Sequence, residues 1–80
     1  MRVKIRYFAG LRDITGKETE IVEVKDKARI KEILEILYKK YPEMLKSADI
    51  IVARNRQYAE ENEVVAEGDE IALLPPVSGG

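Results

Sequence analysis

The chain has 80 residues and a mass of 9.1 kDa, which is enough for one small domain with a modest core. Its 14 basic and 15 acidic residues give a formal charge of -1, without the basic excess that nucleic-acid binding requires, so we expect no nucleic-acid partner. The lack of Cys and His excludes a thiol nucleophile, a thiolate metal site and a triad with a histidine base, and we expect no metal site.

The N-terminal part predicts a two-stranded hairpin. Residues 2–8 alternate between apolar and polar side chains, as in a strand that is covered on one side. Residues 13–17 have the composition of a turn, in which Gly16 can adopt a positive φ. Residues 18–24 then predict the second strand.

The best-marked element is an amphipathic helix over residues 29–41. Its apolar side chains recur at helical spacing and form one stripe, which consists of Ile30, Ile33, Leu34, Leu37, Tyr38 and Tyr41. Pro42 disfavours helical geometry at the residue before it and so ends the helix. The start is less well defined, because Arg29 or Ala28 stands where Ser, Thr or Asp would cap a helix.

Three further strands are predicted after the helix. Residues 50–54 are rich in β-branched side chains, and the pair at 55–56 predicts a turn into a short strand around Tyr58. A turn that contains glycine then precedes the last strand, residues 70–74. The prolines at 75–76 end this strand, because neither can donate a hydrogen bond to a sheet.

The order ββαββ, in which the short strand around Tyr58 is not counted, indicates an α+β domain, with a mixed sheet of four to five strands packed on one main helix. We expect the helix stripe to meet a core that consists of Val3, Ile5, Tyr7, Val22, Val24, Ile71 and Leu73. No apolar run has the length of a membrane span, and the chain starts with a strand pattern rather than a signal sequence. We therefore expect a cytoplasmic protein without a membrane partner.

Catalysis by this chain alone is not expected. The carboxylate pairs Glu60/Glu61 and Asp69/Glu70 could act as acid and base only in a cleft that raises one pKa, and a domain of this size with one helix is unsuited to forming one. The four serine and threonine hydroxyls do not lie in a nucleophile-elbow or phosphate-loop pattern.

Six residues follow the last predicted strand. Such a segment, fully extended, reaches roughly 20 Å. Pro75 and Pro76 stiffen its base, while Gly79 and Gly80 make its tip thin enough for a narrow tunnel and place the α-carboxylate there. The alternative is an ordinary disordered end of small residues.

This ending, GDEIALLPPVSGG over residues 68–80, resembles that of the MoaD-type sulfur carriers, the small subunits of molybdopterin synthase, within the MoaD/ThiS family. The opening VKIRYFA at residues 3–9, followed by Leu11 and Arg12, is similar too. The resemblance covers the whole chain and implies a ubiquitin-like β-grasp domain over residues 1–74, with a flexible tail over residues 75–80. One departure is Arg29, where the family often has Thr.

The resemblance implies a carrier rather than an enzyme. In the family, an E1-like adenylyltransferase uses ATP to adenylate the terminal glycine, here Gly80 next to Gly79, and a sulfur donor protein then supplies the sulfur of a thiocarboxylate. The thiocarboxylate enters the molybdopterin synthase large subunit and gives its sulfur to cyclic pyranopterin monophosphate, on the route to the molybdenum or tungsten cofactor. The chain itself is expected to bind no cofactor.

A docking surface is predicted where the tail begins. Alternation puts Phe8 and Leu74 on the sheet face opposite the helix, close together if the first and last strands pair. With Pro75, Pro76, Val77 and Ser78, they are the expected partner-binding residues; the alternative is that they pack on the prolines within the monomer. Residues 57–80 contain six acids and no Lys or Arg, which predicts attraction to a basic partner entrance.

Other functions remain open at this point. A ubiquitin-like modifier joined through Gly80 to lysines of target proteins would carry the same ending. A sulfur carrier for thiamine thiazole synthesis or for tRNA thiolation shares fold and activation. The proline pair at 75–76 favours molybdopterin synthase over the thiazole pathway, but it does not distinguish a carrier from a modifier.

Overall fold

The computed structural model describes residues 1–46 and 49–76, which form a five-stranded mixed sheet over one main helix. The strands are β1 (Arg2–Tyr7), β2 (Thr19–Glu23), β3 (Ile51–Arg54), β4 (Gln57–Tyr58) and β5 (Glu70–Leu74). Their spatial order is β2-β1-β5-β3-β4, and only the central pair of β1 and β5 is parallel. All five strands predicted from the sequence are therefore confirmed.

The connection between β1 and β2 contains a helix that the sequence pattern did not predict. Helix α1 (Gly10–Thr15) is too short for a full apolar stripe, and it buries only Leu11 and Thr15. Gly16 ends α1 with φ 73°, and its N–H donates to the Arg12 carbonyl at 2.7 Å. The positive φ predicted for Gly16 is thus confirmed, as the end of a helix rather than as part of a simple turn.

Helix α2 (Ile30–Lys40) agrees with the predicted helix to within one residue at each end. Its first N–H groups are satisfied by a neighbouring loop: Ile30 donates to the Glu63 carbonyl at 3.0 Å, and Lys31 donates to the Glu61 carbonyl at 2.8 Å. This tertiary cap explains why α2 begins without Ser, Thr or Asp at Arg29. Beyond α2, a short 3-10 helix (Pro42–Lys46) follows.

The core lies between α2 and the inner face of the sheet. Every residue predicted for the core from the strands is buried, as are the first four residues of the α2 stripe. Tyr38 and Tyr41 are half-buried at its margin. The sequence pattern missed further core members that come from loops and short elements, namely Leu11, Ala28, Met44, Val52 and Val65.

Two turns set the β-strands in register. Asn55 and Arg56, between β3 and β4, have φ of 50° and 71°, as two-residue hairpin turns require. Gly68, just before β5, has φ 82°. No helix within residues 1–46 and 49–76 is long and apolar enough to cross a membrane.

Candidate docking face beside the C-terminal tail

The root of the tail lies beside the end of β1. Because β1 and β5 are parallel, Tyr7 is opposite Leu73, and the Phe8 N–H donates to the Leu73 carbonyl at 3.1 Å. Tyr7 and Leu73 point into the core, so their successors Phe8 and Leu74 lie on the outer face of the sheet. The predicted proximity of Phe8 and Leu74 depended on pairing between the first and last strands, and this pairing is confirmed.

Phe8 and Leu74 line one shallow depression of about 340 Å³ on this outer face. Phe8 is 37% exposed, and Leu74 is half-buried. The depression is completed by Arg6, Arg56, Glu70 and Ala72. The two apolar side chains are therefore close together, as expected, while their role in partner binding stays a prediction.

The tail itself is described only at its base. Pro75 is half-buried and Pro76 is exposed where the chain leaves β5. The remaining predicted site residues, Val77, Ser78, Gly79 and Gly80, lie outside the described residues. The reach and thinness expected of the tip therefore remain predictions from the sequence.

Most acids of residues 57–76 lie away from the depression at the root of the tail. The loop that contains Glu61 and Glu63 packs on the N-terminus of α2, and the Glu67 carboxylate accepts the Arg2 N–H at 2.6 Å. These groups lie towards the start of β5, whereas the tail leaves from its end. Glu70, by contrast, lines the depression beside the tail, and attraction to a basic partner entrance stays a prediction.

In the predicted carboxylate pair Asp69/Glu70, Asp69 is a structural clamp, while the Glu70 carboxylate pairs with Arg6 at 3.4 Å. The Asp69 carboxylate accepts hydrogen bonds from Arg54 Nε at 2.7 Å, Asn55 Nδ2 at 3.0 Å and the Ala66 N–H at 2.8 Å. Burial alone would raise the pKa of Asp69, but the hydrogen bonds from Ala66, Asn55 and Arg54 outweigh it and lower the pKa. A lowered pKa is the opposite of what a general acid requires at neutral pH.

The most strongly perturbed carboxyl is one that sequence reasoning missed. Glu20 accepts hydrogen bonds from the hydroxyls of Tyr7 and Tyr41 and from Lys17, and it also pairs with Lys40. Burial opposes its charge, but bonds from Lys40, both tyrosines and Lys17 lower the pKa of Glu20 to about 2. Every oxygen is matched by a donor, so the cluster stabilises the fold and offers no free acid or base.

The alternation of β2 contained the signal for this buried carboxylate. Glu20 has the same parity as Val22 and Val24, both of which were predicted for the core. A charged residue at an inward position must find partners, since an unpaired buried charge is costly. The partners could not be identified in advance, because they come from three other parts of the chain.

A larger open groove of about 670 Å³ lies between the β2 side of the sheet and α2, away from the tail. Its rims are occupied by ion pairs, Arg2 with Glu23 at 3.4 Å and Lys25 with Glu32 at 2.7 Å. Within residues 1–46 and 49–76, no three His, Cys, Asp or Glu side chains are grouped to hold a metal ion. The depression beside the tail is the candidate docking site, because Phe8 and Leu74 line it where the tail begins.

Comparison with known protein families identifies the chain's relatives. Residues 5–80 match the model of the ThiS family. The chain belongs to the ThiS family. This membership agrees with the resemblance to MoaD/ThiS proteins on which the predicted β-grasp fold depended.

Relatives of this ThiS-family chain have two kinds of names. The molybdopterin synthase sulfur carrier subunit of Chlamydomonas reinhardtii is 31% identical, and the match covers all of both chains. Small archaeal modifier protein 1 of Haloferax volcanii is 34% identical over 94% of this chain and 97% of the relative. Both the carrier and the modifier interpretations thus have relatives among known proteins.

Solved structures confirm the ubiquitin-like β-grasp fold. The crystal structure of SAMP1 from Haloferax volcanii superposes with a TM-score of 0.88, at 32% identity over all of both chains. A complex of subunits 1 and 2 of the molybdopterin-converting factor from Helicobacter pylori contains a chain that matches with a TM-score of 0.74, at 30% identity over all of both chains. In that complex, a relative is held by a second subunit.

Proposed function

We propose that this ThiS-family chain is the sulfur-carrier subunit of a molybdopterin synthase. The observation that carries the proposal is the match over the complete chain to relatives named as molybdopterin synthase sulfur carrier subunits, at 31% identity in Chlamydomonas reinhardtii. The fold agrees with this role, because the last strand leads directly from the core to Pro75 and Pro76 and onward to the glycines. The chain is then a carrier and not an enzyme by itself.

The reacting group is the carboxylate of Gly80. An E1-like adenylyltransferase joins it to AMP with release of pyrophosphate from ATP, which turns a poor leaving oxygen into a good one. A sulfur donor protein supplies sulfur to the same carbon, AMP leaves, and a thiocarboxylate results. Gly79 and Gly80 lack side chains that would hinder approach to this carbon. ATP is bound by the activating enzyme, and the chain itself holds no cofactor.

The large subunit of molybdopterin synthase is the proposed acceptor partner. The Helicobacter pylori complex of subunits 1 and 2 supports this choice, because one of its chains shares this fold at 30% identity. We assign docking to Phe8, Leu74, Pro75 and Pro76, with residues 77–78 leading the tip into the partner. There the thiocarboxylate attacks cyclic pyranopterin monophosphate, and the large subunit supplies the catalytic groups.

A second function is favoured by a specific relative. The 34% identity to small archaeal modifier protein 1 of Haloferax volcanii supports a modifier whose Gly80 is joined to lysines of other proteins. Both functions start from the same activated carboxylate, since an adenylate can be attacked by sulfur or by an amine. They differ in the product that accumulates in the cell.

Intact-mass spectrometry separates these products. The protein is recovered from its native cells under denaturing, non-reducing conditions, and both free chains and higher-mass conjugates are measured. Free chains with one sulfur in place of one oxygen at Gly80 support the carrier function. Chains found exclusively on lysines of other proteins, with no thiocarboxylate form, contradict it and establish the modifier.

A further inference from the structure

The depression beside the tail has an alanine floor. The register of the outer sheet face places Arg6 opposite Ala72, Ala72 opposite Ala53, and Ala53 opposite Tyr58. Two small side chains in the centre of this row lie between longer ones on both sides. Of this row, Arg6 and Ala72 line the depression, which we call the alanine groove; it extends along β5 from Glu70 to Leu74.

The charged side chains at the alanine groove are mainly basic. Arg6 and Arg56 line the groove with a single carboxylate, Glu70, and Lys4 is the register neighbour of Glu70 on β1. Arg6 meets Glu70 at 3.4 Å with its side chain 38% exposed, a pairing that solvent weakens. Arg56 is exposed and makes no ion pair within residues 1–46 and 49–76.

We propose that the alanine groove receives an apolar side chain of the large subunit. Carboxylates on both sides of that apolar side chain pair with Arg6 and Arg56. The floor at Ala72 leaves depth for the apolar side chain, and Phe8 and Leu74 cover it from the tail end. A guanidinium binds a carboxylate through two parallel hydrogen bonds, and exclusion of water by the apolar contacts strengthens them. This inference rests on the proposed function.

An acidic protein segment fits the groove better than a phosphate does. A phosphate could pair with Arg6 and Arg56 as a carboxylate does, but it has no apolar part to fill the space over Ala72 beside Phe8 and Leu74. The partner element is therefore acidic at its edges and apolar at its centre.

Charge-reversal variants test the proposal. Arg6→Glu, Arg56→Glu and the matched control Lys31→Glu, which changes an exposed residue of α2, are compared for binding to the purified large subunit by calorimetry at low and high salt. We expect each arginine variant to raise Kd about tenfold or more, with a smaller salt dependence than the native chain shows. Lys31→Glu is expected to leave Kd unchanged.

A filled-groove variant separates shape from charge. Ala72→Phe keeps every charge and places a large side chain on the half-exposed floor, so we expect weaker binding with a native salt dependence. Circular dichroism melts identify any variant that fails to fold. If Arg6→Glu fails to fold, the effect of charge is measured with Arg56→Glu, which lies at an exposed turn.

The outcomes distinguish the two levels of inference. If the native chain binds the large subunit, and Arg6→Glu and Arg56→Glu bind it as tightly as Lys31→Glu does, the alanine-groove assignment is overturned. The proposed function then still stands. Absence of binding by the native chain to the large subunit overturns the proposed function and this inference with it.

Discussion

The Tyr7 hydroxyl donates a hydrogen bond of 2.7 Å to the Glu20 carboxylate, between neighbouring strands of the sheet. The same carboxylate accepts a bond of 2.9 Å from the Tyr41 hydroxyl, and the two tyrosine rings meet edge-on at 6.2 Å. Burial, followed by the bond to Glu20, raises the pKa of Tyr7, so its hydroxyl stays protonated and remains a donor. This cluster joins β1, β2 and the end of α2. Its member Tyr7 is the last residue of β1 and immediately precedes Phe8.

Glu20→Gln is expected to remove an acid-sensitive part of the stability. The pKa of Glu20 is about 2 in the folded chain against an ordinary 4.5, so its contribution is fully present above about pH 5 and is lost as the pH falls towards 2. The shift corresponds to about 3 kcal/mol at neutral pH. Urea unfolding of native and Glu20→Gln chains from pH 7 to pH 2 measures it.

The matched control for that experiment is Glu23→Gln on the same strand, whose side chain is 77% exposed. The stability of the control should follow the native pH profile closely, since exposed ion pairs contribute little. If the Glu20→Gln chain also runs parallel to the native profile between pH 5 and pH 2, the cluster does not account for acid sensitivity.

Leu34→Ala is expected to destabilise the domain by about 2 to 5 kcal/mol, because it empties a buried position on the α2 stripe. Ile36→Ala is the control on the same helix; Ile36 is 40% exposed, so its loss should cost much less. Thermal and chemical unfolding measure both variants. Equal losses would show that α2 does not bury the predicted face.

Deletion of Gly80 should abolish thiocarboxylate formation and leave the melting temperature nearly unchanged. The buried core of the described residues ends at Leu73, and the reacting carbon is lost with the glycine. Sulfur incorporation in the presence of the activating enzyme, the sulfur donor and ATP is followed by intact mass, with Lys31→Ala as an active control. A large drop in melting temperature would instead indicate a structural tail.

Phe8→Asp should weaken binding to the large subunit by about tenfold or more without unfolding the domain, because it puts a charge into the apolar part of the docking face. Ile21→Asp is the matched control, since Ile21 is also on the outer sheet face, is 61% exposed and lies on β2, away from β5. Calorimetry compares the two chains. Equal affinities would remove Phe8 from the interface.

Local patterns predicted the strands and α2 because each follows from spacing along the chain. Alternation identified β1 from its own residues, and the stripe from Ile30 to Tyr41 located α2. Helix α1 escaped this reasoning because six residues cannot display a helical period. The capping of α2 by the loop at Glu61 and Glu63 also escaped it, because the donors and acceptors are far apart in sequence.

By itself, the sequence determined which faces of the strands point inward and outward, and it located the main helix. It also determined where the last strand stops and that the chain ends in two glycines. These features depend on neighbouring residues alone. Only the tertiary structure decided which charges surround the root of the tail. Most acids of residues 57–76 lie near the start of β5 and the N-terminus of α2, whereas Glu70 is brought into one groove with Arg6 and Arg56. Parallel pairing of β1 with β5 is a long-range contact, and it places Phe8 and Leu74 in the same depression.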